Sequence, residues 1–567
     1  MSLDVRDILS LNEPAAKRQK TENIQSMSTA NSDAKEILAA LENDETLEED
    51  EEEMDESAVK KLCIQLDKKL KKNQEMRVKH AGDPEKFMAS EIDLNMAVQE
   101  MHAVATQPSL YGKMVDMGIV QIIIHLLAHE NTDIVGSSVH LLQELCDIEI
   151  LSENDESVAV LIDELLNNRI IEHFVTQVLS RLNNVDKDEE EAIHSVFSTM
   201  ESILDFRPEA AEICIEQGLF VELMNRATLK SVFDPNKLYA SQLLSVILQT
   251  SENAKAKLVE KKDGIDFLLR ALASYKRKDP ATADETEHME NLFDALCAAL
   301  LRKENRLVFL KDEGNELMYL MLKEKKASRE GALRVLSYVT AVPDGVENCD
   351  HFVEMFGLRV IFPLFMKTPS KAKRKDTTPI EHEEHVCSII EALLYSCSSD
   401  NRKRVLSKFD ENDCEKVERL VELFLSHSDR LRRYMNRMKK QGIQMDDDEL
   451  HTERLNNGFY TLSKIALILA DVCLSSYFTC KEKASNLFRM KTKNPSIKAH
   501  LEPILLEMLE NLGEEAKNQR ERIELIISQL KIQEEGPSME NDEEYGSSSE
   551  HVSESNDDAV VEIDNSQ

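Results

Sequence analysis

Apolar side chains recur through the middle of the chain with the spacing of one face of an α-helix. After Gly118, for example, apolar residues stand at positions 119, 122, 123, 126 and 127, which is the i, i+3, i+4, i+7, i+8 pattern. A polar turn and a second apolar helix follow, as in 133-DIVGSSVHLLQELCDI-148. Six runs of this kind begin directly after anchors that lie 43 to 51 residues apart: Gly118, Arg169, Gly218, Gly264, Gly314 and Gly357.

A purely helical repeat of this length is typical of armadillo and HEAT units. One unit cannot bury its apolar faces alone, so neighbouring units stack on one another. The pattern therefore predicts an all-α protein, a right-handed α-solenoid of armadillo/HEAT-type repeats. We expect the anchor glycines to lie between two helices, where a residue without a Cβ can take a positive φ.

The pattern also divides the chain into segments. Both ends hold too few apolar residues to form a core and are predicted to be disordered. The predicted segments are a disordered N-terminal tail (1–56), a helical N-terminal cap (57–110), the repeats (111–425), a charged loop or partly ordered segment (426–455), a C-terminal helical cap (456–533) and a disordered acidic tail (534–567).

The formal net charge of −38 is concentrated at the two ends. Residues 1–56 hold 17 acidic and 5 basic side chains, and residues 534–567 hold 12 acidic side chains and no Lys or Arg. Such runs are usually only solvated, although mimicry of nucleic acid or modification by a kinase stays open. Because the segment between them is also net acidic, we expect no direct binding of nucleic acid.

Composition narrows the class of protein further. Only 15 Gly and 13 Pro interrupt 567 residues, which favours long helices over a β protein with many turns. We find no apolar run of membrane-spanning length and no signal-peptide core, so no membrane is expected. The ten Cys lack any CxxC pair and are interpreted as reduced thiols of the cytosol or nucleus.

Catalytic signatures such as GxGxxG, GxxxxGK[ST], GxSxG and HExxH are missing from the sequence. The nearest approach to a metal site is His382, His385 and Cys387, where two histidines share one helix face. A metal would need further ligands, so an ordinary charged helix start is the favoured interpretation. We therefore predict no enzyme, no cofactor and no metal.

A compact basic cluster, 14-PAAKRQK-20, stands in the otherwise acidic N-terminal tail. A K-[KR]-x-[KR] core after Pro in a flexible segment resembles a nuclear localisation signal, in which Lys17, Arg18 and Lys20 would contact the acidic groove of a nuclear import receptor. We therefore predict a nuclear protein. A chance cluster is the alternative, and the segment could also fold back onto an acidic surface of its own chain.

Two other short segments have competing interpretations. A basic loop at 371–375 could be a second address, a phosphate contact or, more simply, a solvated loop. The stretch 142-LQELCDIEI-150 has the spacing of a leucine-rich nuclear export signal, but a buried repeat helix needs the same residues. The export signal would consist of Leu142, Leu145, Ile148 and Ile150.

Longer strings point to a family. From about Met54 to past Cys473 the sequence resembles the beta-catenin-like protein 1 family of armadillo-type nuclear proteins. The strings that carry the resemblance are 54-MDESAVKKL-62, 83-DPEKFMASEIDLNMAVQEMHAVAT-106, 141-LLQELCDIEIL-151, 290-ENLFDALC-297, 355-MFGLRVIFPLFMK-367 and 381-EHEEHVCSII-390.

The resemblance implies a function that periodicity cannot supply. It implies a non-catalytic component of the spliceosome-associated nineteen-complex. It also implies binding of the basic, nuclear-localisation-type segments of partners. Those partners are a cell-division-cycle-5-like splicing factor, a pre-mRNA-processing factor and, in vertebrates, activation-induced cytidine deaminase.

A stacked helical array presents a long concave surface to such segments, and its second helices are expected to line it. Carboxylates there would contact Arg and Lys, although any one of them could merely solvate a helix face. The chain has no Trp, so the Trp–Asn ladder of importin-like repeats is missing. The residues expected near this surface are His140, Glu144, Glu201, Gln242, Asp294, Arg334 and Glu391, with Glu144, Glu201, Asp294 and Glu391 as the candidate peptide contacts.

These observations predict a nuclear scaffold or adaptor of the pre-mRNA splicing machinery that docks basic segments reversibly and performs no chemistry. The alternative is a transport adaptor that escorts basic cargo through nuclear pores. The missing Trp–Asn ladder argues against that alternative. The sequence leaves homo-oligomer formation open.

Overall fold

The structure is a computed structural model that describes residues 55–147, 155–182, 186–230, 233–260, 264–369, 378–443, 445–513 and 516–535. Every regular element in these ranges is helical, which confirms the predicted all-α class. The chain forms two compact units. One is Met1–His173 with Asn184–Ser202, and the other is Phe174–Asn183 with Ile203–Gln567.

The first unit begins with two helices in the segment that was predicted as the N-terminal cap, α1 (Glu56–Lys79) and α2 (Pro84–Glu100). The Asp55 side chain accepts a hydrogen bond from the backbone N–H of Ala58 and so caps α1. The remaining helices of this unit are α3 (Tyr111–Asp116), α4 (Ile119–Leu126), α5 (Thr132–Leu145), α6 (Asp155–Asn167), α7 (Ile170–His173) and α8 (Lys187–Phe206) as far as Ser202, with 3-10 turns at Met101–Thr106 and Pro108–Leu110.

The second unit contains a π-helical turn at Phe174–Leu179, the end of α8 and then a long series of helices. They are α9 (Ala210–Glu216), α10 (Leu219–Thr228), α11 (Pro235–Thr250), α12 (Glu252–Glu260), α13 (Gly264–Leu272), α14 (Ala283–Ala299), α15 (Lys303–Lys311), α16 (Gly314–Glu324), α17 (Arg329–Val339), α18 (Val346–Glu354), α19 (Leu358–Met366), α20 (Pro379–Ser396), α21 (Ser399–Gln441), α22 (Asp447–Arg454), α23 (Tyr460–Leu474), α24 (Phe478–Thr492), α25 (Ile497–Asn511) and α26 (Lys517–Glu535), with a 3-10 turn at Ala273–Lys276 and a π-helical turn at Leu455–Phe459.

Three helices make up each repeat of the second unit. The short first helices α9, α12, α15 and α18 pack against one another in order. The third helices form a second series in which each helix packs against the next: α11, α14, α17, α20 and α23. The sequence pattern predicted two helices per repeat, and the short first helix was missed because seven to nine residues give little periodicity.

All six anchor residues stand at or immediately before the start of a helix, as predicted. Gly118 and Gly218 have positive φ values of 71° and 93°. At Gly314 and Gly357 the positive φ belongs to the preceding residue, so the expected reason for glycine is wrong there. A Cβ on Gly314 would lie 2.5 Å from the Phe309 ring, which shows that close packing requires glycine at this position.

Buried asparagines join neighbouring first helices. Asn305 of α15 donates a hydrogen bond from its side-chain amide to the Lys255 carbonyl oxygen of α12 at 2.9 Å. Asn348 of α18 donates in the same way to the Arg306 carbonyl oxygen of α15 at 3.2 Å. Because both amides are fully buried, these hydrogen bonds help to set how consecutive repeats stack.

The segment 426–455, predicted as a charged loop or partly ordered, is mostly helical. Helix α21 continues to Gln441, after a break in helical geometry at 411–414, and α22 begins at Asp447. Buried residues of α21 within this segment, His427 and Leu431, explain why this charged sequence remains a helix.

One helical run in the described ranges, Asp447–Leu474, is long enough to cross a membrane and contains an 18-residue window with a mean hydropathy of 1.3. Our expectation that no apolar run has this length is therefore wrong for a run that joins α22 and α23. The window is 72% buried inside the protein, and core helices of soluble proteins pass the same test.

Candidate functional site

The third helices place charged side chains at equivalent positions in successive repeats. Asp294, Arg334 and Glu391 are aligned by the strings 294-DALCA-298, 334-RVLSY-338 and 391-EALLY-395. We call the side of α14, α17, α20 and α23 that carries these positions the third-helix face. All three residues were expected there from the sequence.

Asp294 is engaged by the next repeat rather than left unpaired. Its Oδ1 lies 2.7 Å from an Arg334 guanidinium nitrogen, and the same nitrogen lies 3.4 Å from Glu290 Oε2. Burial raises the pKa of Asp294, and the Arg334 charge offsets only part of that effect. An incoming basic side chain would therefore have to share these carboxylates with Arg334.

His385 of α20 continues the polar series beyond Arg334. Its Nδ1 lies 3.2 Å from the Ser337 hydroxyl oxygen. Burial and the neighbouring Arg334 charge lower the pKa of His385 to about 4, so the ring is neutral at physiological pH. The positive charge in this part of the third-helix face therefore belongs to Arg334 and not to His385.

Glu391, which was predicted as a peptide contact, does not lie on an open surface. Its side chain is 3% exposed and forms ion pairs with Arg522 of α26 at 2.5 Å and Lys464 of α23 at 3.1 Å. Burial would raise the pKa of Glu391, but the two cations reverse this and lower it. The sequence interval of 131 residues between Glu391 and Arg522 hid this contact.

Asp471 of α23 extends the same cluster. It pairs with Arg522 at 2.6 Å and with Arg402 at 2.9 Å. The Arg522 guanidinium also lies over the Tyr395 ring, 4.6 Å from its centroid. Two carboxylates, three cations and an aromatic ring thus meet where α20, α21, α23 and α26 converge, a site that the sequence analysis missed apart from Glu391.

The two candidate contacts in the first unit differ in environment. Glu144 of α5 is exposed and accepts a hydrogen bond from His102 Nδ1 at 2.6 Å. Glu201 of α8 is half-buried and has partners of its own. His140, expected on the same surface, lies 3.3 Å from the Ser195 hydroxyl oxygen.

Two of the third helices, α14 and α20, nevertheless carry an excess of acid. Helix α14 contains five Asp or Glu and no Lys or Arg, and α20 contains four and none. Glu287 and Glu381 are exposed members of these sets that the sequence analysis did not select. Counting charges on each helix, instead of seeking a single position per repeat, would have found them.

Several predicted signals cannot be placed in the structure. The localisation residues Lys17, Arg18 and Lys20 lie outside the described residues, as does the basic loop at 371–375. Of the export-like segment, Leu142 and Leu145 are fully buried in α5, whereas Ile148 and Ile150 are outside the described residues. The two buried leucines agree with the repeat-core interpretation.

The histidine and cysteine trio at 382–387 is not a metal-ligand cluster in the structure. His382 binds Glu330 at 2.9 Å, and Cys387 is buried in the core, where desolvation raises the pKa of its thiol. Within the described residues, a group whose ligand atoms do converge is Asp410, Cys414 and Cys480, with 3.6 Å between the two sulfurs. Burial raises the pKa of the Cys480 thiol to about 12.

Comparison with known proteins identifies the family that this architecture suggests. The family model described as "Catenin-beta-like, Arm-motif containing nuclear" matches residues 35–529. The chain belongs to this family. The Arm motif in the description agrees with the three-helix repeats of the second unit.

Relatives in this catenin-beta-like family span distant organisms. Beta-catenin-like protein 1 of Homo sapiens is 42% identical over 471 residues, covering 81% of this chain and 83% of the relative. The Bos taurus protein of the same name gives the same identity and coverage. The Beta-catenin-like protein 1 homolog of Schizosaccharomyces pombe is 30% identical over 459 residues, covering 79% of this chain and 78% of the relative.

Proposed function

We propose that this chain is a non-catalytic nuclear adaptor of the pre-mRNA splicing machinery that docks basic, nuclear-localisation-type segments of partner proteins on its third-helix face. The observation that carries the proposal is the set of nine Asp and Glu on α14 and α20, two helices that contain no Lys or Arg. Some of these acids, such as Glu391, are paired with cations of other helices, whereas Glu287 and Glu381 are exposed to solvent. Lys and Arg side chains are the natural complement of such a surface.

Arg334 sets the strength of this docking. Its guanidinium neutralises part of the charge of Asp294 and Glu290, so a partner segment binds by competing with it. Competition of this kind keeps the affinity moderate and sensitive to salt, as a reversible adaptor requires. The expected partners are splicing proteins with basic segments, namely a cell-division-cycle-5-like factor and a pre-mRNA-processing factor, and a nuclear import receptor for the 14-PAAKRQK-20 segment.

Binding of a fluorescein-labelled peptide of residues 11–23 tests the docking step. The protein is the full chain with Lys17, Arg18 and Lys20 changed to Ala, so that its own copy does not compete. Fluorescence anisotropy should show saturable binding that weakens with salt and persists with single-stranded RNA added. The absence of binding at low salt would refute docking of basic segments.

A matched pair of double variants locates the site. Glu287→Gln with Asp294→Asn removes two charges from the third-helix face and should weaken binding about tenfold, by analogy with charge-pair losses at interfaces. Glu304→Gln with Glu347→Gln removes two exposed charges from first helices and should change binding less than twofold. If the two double variants weaken peptide binding equally, binding depends only on the net charge of the chain and not on the third-helix face.

The splicing assignment has its own test. Spliceosomes assembled on a pre-mRNA in nuclear extract should retain the tagged chain and lose the Glu287→Gln, Asp294→Asn variant. Retention of both proteins to the same extent would show that association with the spliceosome does not require the third-helix face.

A further inference from the structure

The last helix of the described residues, α26, contacts the end of the third-helix face through one arginine. Its apolar side is buried, through residues such as Ile523 and Ile527, where it packs against α23 and α25. Arg522 immediately precedes this apolar side and reaches the carboxylates of α20 and α23. An ordinary cap helix needs only the apolar contacts, so the contacts of Arg522 require a separate explanation.

The surroundings of Arg522 have the composition of an arginine-binding site. One guanidinium nitrogen donates to Glu391 Oε1 at 2.5 Å, and the other donates to Asp471 Oδ2 at 2.6 Å. The guanidinium plane lies over Tyr395, 4.6 Å from the ring centroid. Two carboxylates and a π-face together recognise a planar guanidinium far better than a lysine ammonium.

A carboxylate is paired with an arginine earlier in the same series of third helices. Asp294 is held by Arg334, which comes from the next third helix of the series. Glu391 stands at the equivalent position and is paired in the same way by Lys464 of α23. Arg522 adds a guanidinium to this pair from α26, which follows the repeats in the chain, so it is a second cation that comes from outside the repeats.

Neither carboxylate depends on Arg522 alone. Glu391 also pairs with Lys464 at 3.1 Å, and Asp471 also pairs with Arg402 at 2.9 Å. If Arg522 leaves, both acids keep a cation, so an exchange of one arginine for another passes through no buried unpaired charge.

An open pocket lies beside the site. It has a volume of about 500 Å³ and is lined by Tyr395, Pro343 and the residues Ala516–Gln519 at the start of α26. The cavity that Glu391 and Arg522 line themselves is only about 30 Å³, so an arginine can reach the carboxylates only when Arg522 moves away. The first turns of α26, rather than the whole helix, are what an incoming arginine has to move.

We propose that Glu391, Asp471 and Tyr395 form the arginine-specific end of the docking surface, and that Arg522 is an internal ligand displaced by an arginine of a partner segment. This inference rests on the proposed docking function and adds the identity of the recognised side chain and its regulation by α26. The apparent affinity for a partner equals the affinity of the empty site multiplied by the fraction of time that Arg522 leaves the site empty.

The same anisotropy assay tests the inference, in the same full-chain background with Lys17, Arg18 and Lys20 changed to Ala. Arg522→Gln should tighten binding of the 11–23 peptide about fivefold or more, because the competitor is gone. Lys531→Gln removes the same charge from the same helix, where Lys531 pairs with Glu502, and should leave binding unchanged. The peptide with Arg18 changed to Lys should lose most of the gain seen with Arg522→Gln.

Hydrogen exchange in the chain with Arg522 intact provides a readout that does not depend on how the Arg522 variant folds. Saturating peptide should increase amide exchange in 517–524 and leave α23 protected. Unchanged amide exchange in 517–524, or equal affinities of the Arg522→Gln and Lys531→Gln variants for the peptide, would overturn the proposal that Arg522 is an internal ligand. If peptide binding still depends on Glu287 and Asp294 in that case, the proposed docking function is retained without the role of Arg522. If the peptide binds to neither variant, both the docking function and the role of Arg522 are refuted.

Discussion

Replacing Glu391 by Gln should destabilise the second unit far more than the loss of a carboxylate at the surface. Glu391 and Asp471 face the cations Arg402, Lys464 and Arg522, so the cluster already has one excess positive charge. Removing Glu391 leaves two excess positive charges in a buried site. Breaking a buried ion pair in this way costs about 3–5 kcal/mol of folding free energy.

The measurement is urea denaturation followed by circular dichroism at 222 nm, with the free-energy change taken from the midpoint at a common slope. Glu502→Gln is the matched control, because Glu502 pairs with Lys531 at 3.4 Å near the surface and should contribute less than about 1 kcal/mol. A loss below about 1 kcal/mol for Glu391→Gln would refute the view that this cluster holds α20, α23 and α26 together.

The pH dependence gives a second check on Glu391. Its pKa in the folded chain is lowered, so its stabilising contribution is fully present above the unfolded pKa of about 4.3 and is lost as the pH falls through the folded pKa. The stability difference between the wild-type chain and Glu391→Gln should therefore be largest near neutral pH and shrink in acid. A difference that grows in acid would contradict the assignment of a charged Glu391.

Three further predictions follow from the third helices. Arg334→Gln should tighten binding of the basic peptide several-fold in the anisotropy assay, while Arg359→Gln, an exposed arginine on a second helix, should not; equal effects would refute competition by Arg334. His288 is buried, and burial lowers its pKa from 6.5 to about 4. It should therefore contribute up to about 3 kcal/mol of stability above pH 6.5, and this contribution should be lost as the pH falls toward 4. In a series of denaturation experiments at different pH values, His288→Gln should reduce the change in stability between pH 6.5 and pH 4. Gly331→Ala should destabilise by about 1–3 kcal/mol, because the new Cβ would lie 2.4 Å from the buried Phe293 ring; an unchanged denaturation midpoint would show that the ring can move.

Local sequence was sufficient to predict the repeats. Each anchor begins a helix because the apolar spacing that follows it suits one helical face, and burial of that face favours stacking. Position along the repeat likewise predicted that Asp294, Arg334 and Glu391 share one face. These properties depend on residues within one repeat, so no long-range contact was needed to predict them.

The charge state and accessibility of that face could not be predicted in the same way. Asp294 and Arg334 lie 40 residues apart, and Glu391 meets Arg522 only because the chain returns as α26 after the repeats. No periodic pattern encodes such a pairing. A carboxylate that looks like an open contact in the sequence is therefore found inside an ion-pair cluster.

The amino-acid sequence by itself determined the helical class, the repeat length and the acidic character of α14 and α20, because these follow from spacing and composition. Tertiary structure alone decided which acids are paired and which are exposed. Burial and ion pairing depend on which distant segments meet, as Glu391 and Arg522 do. The proposed docking face is consequently a property of the folded repeats together with the helix α26 that follows them.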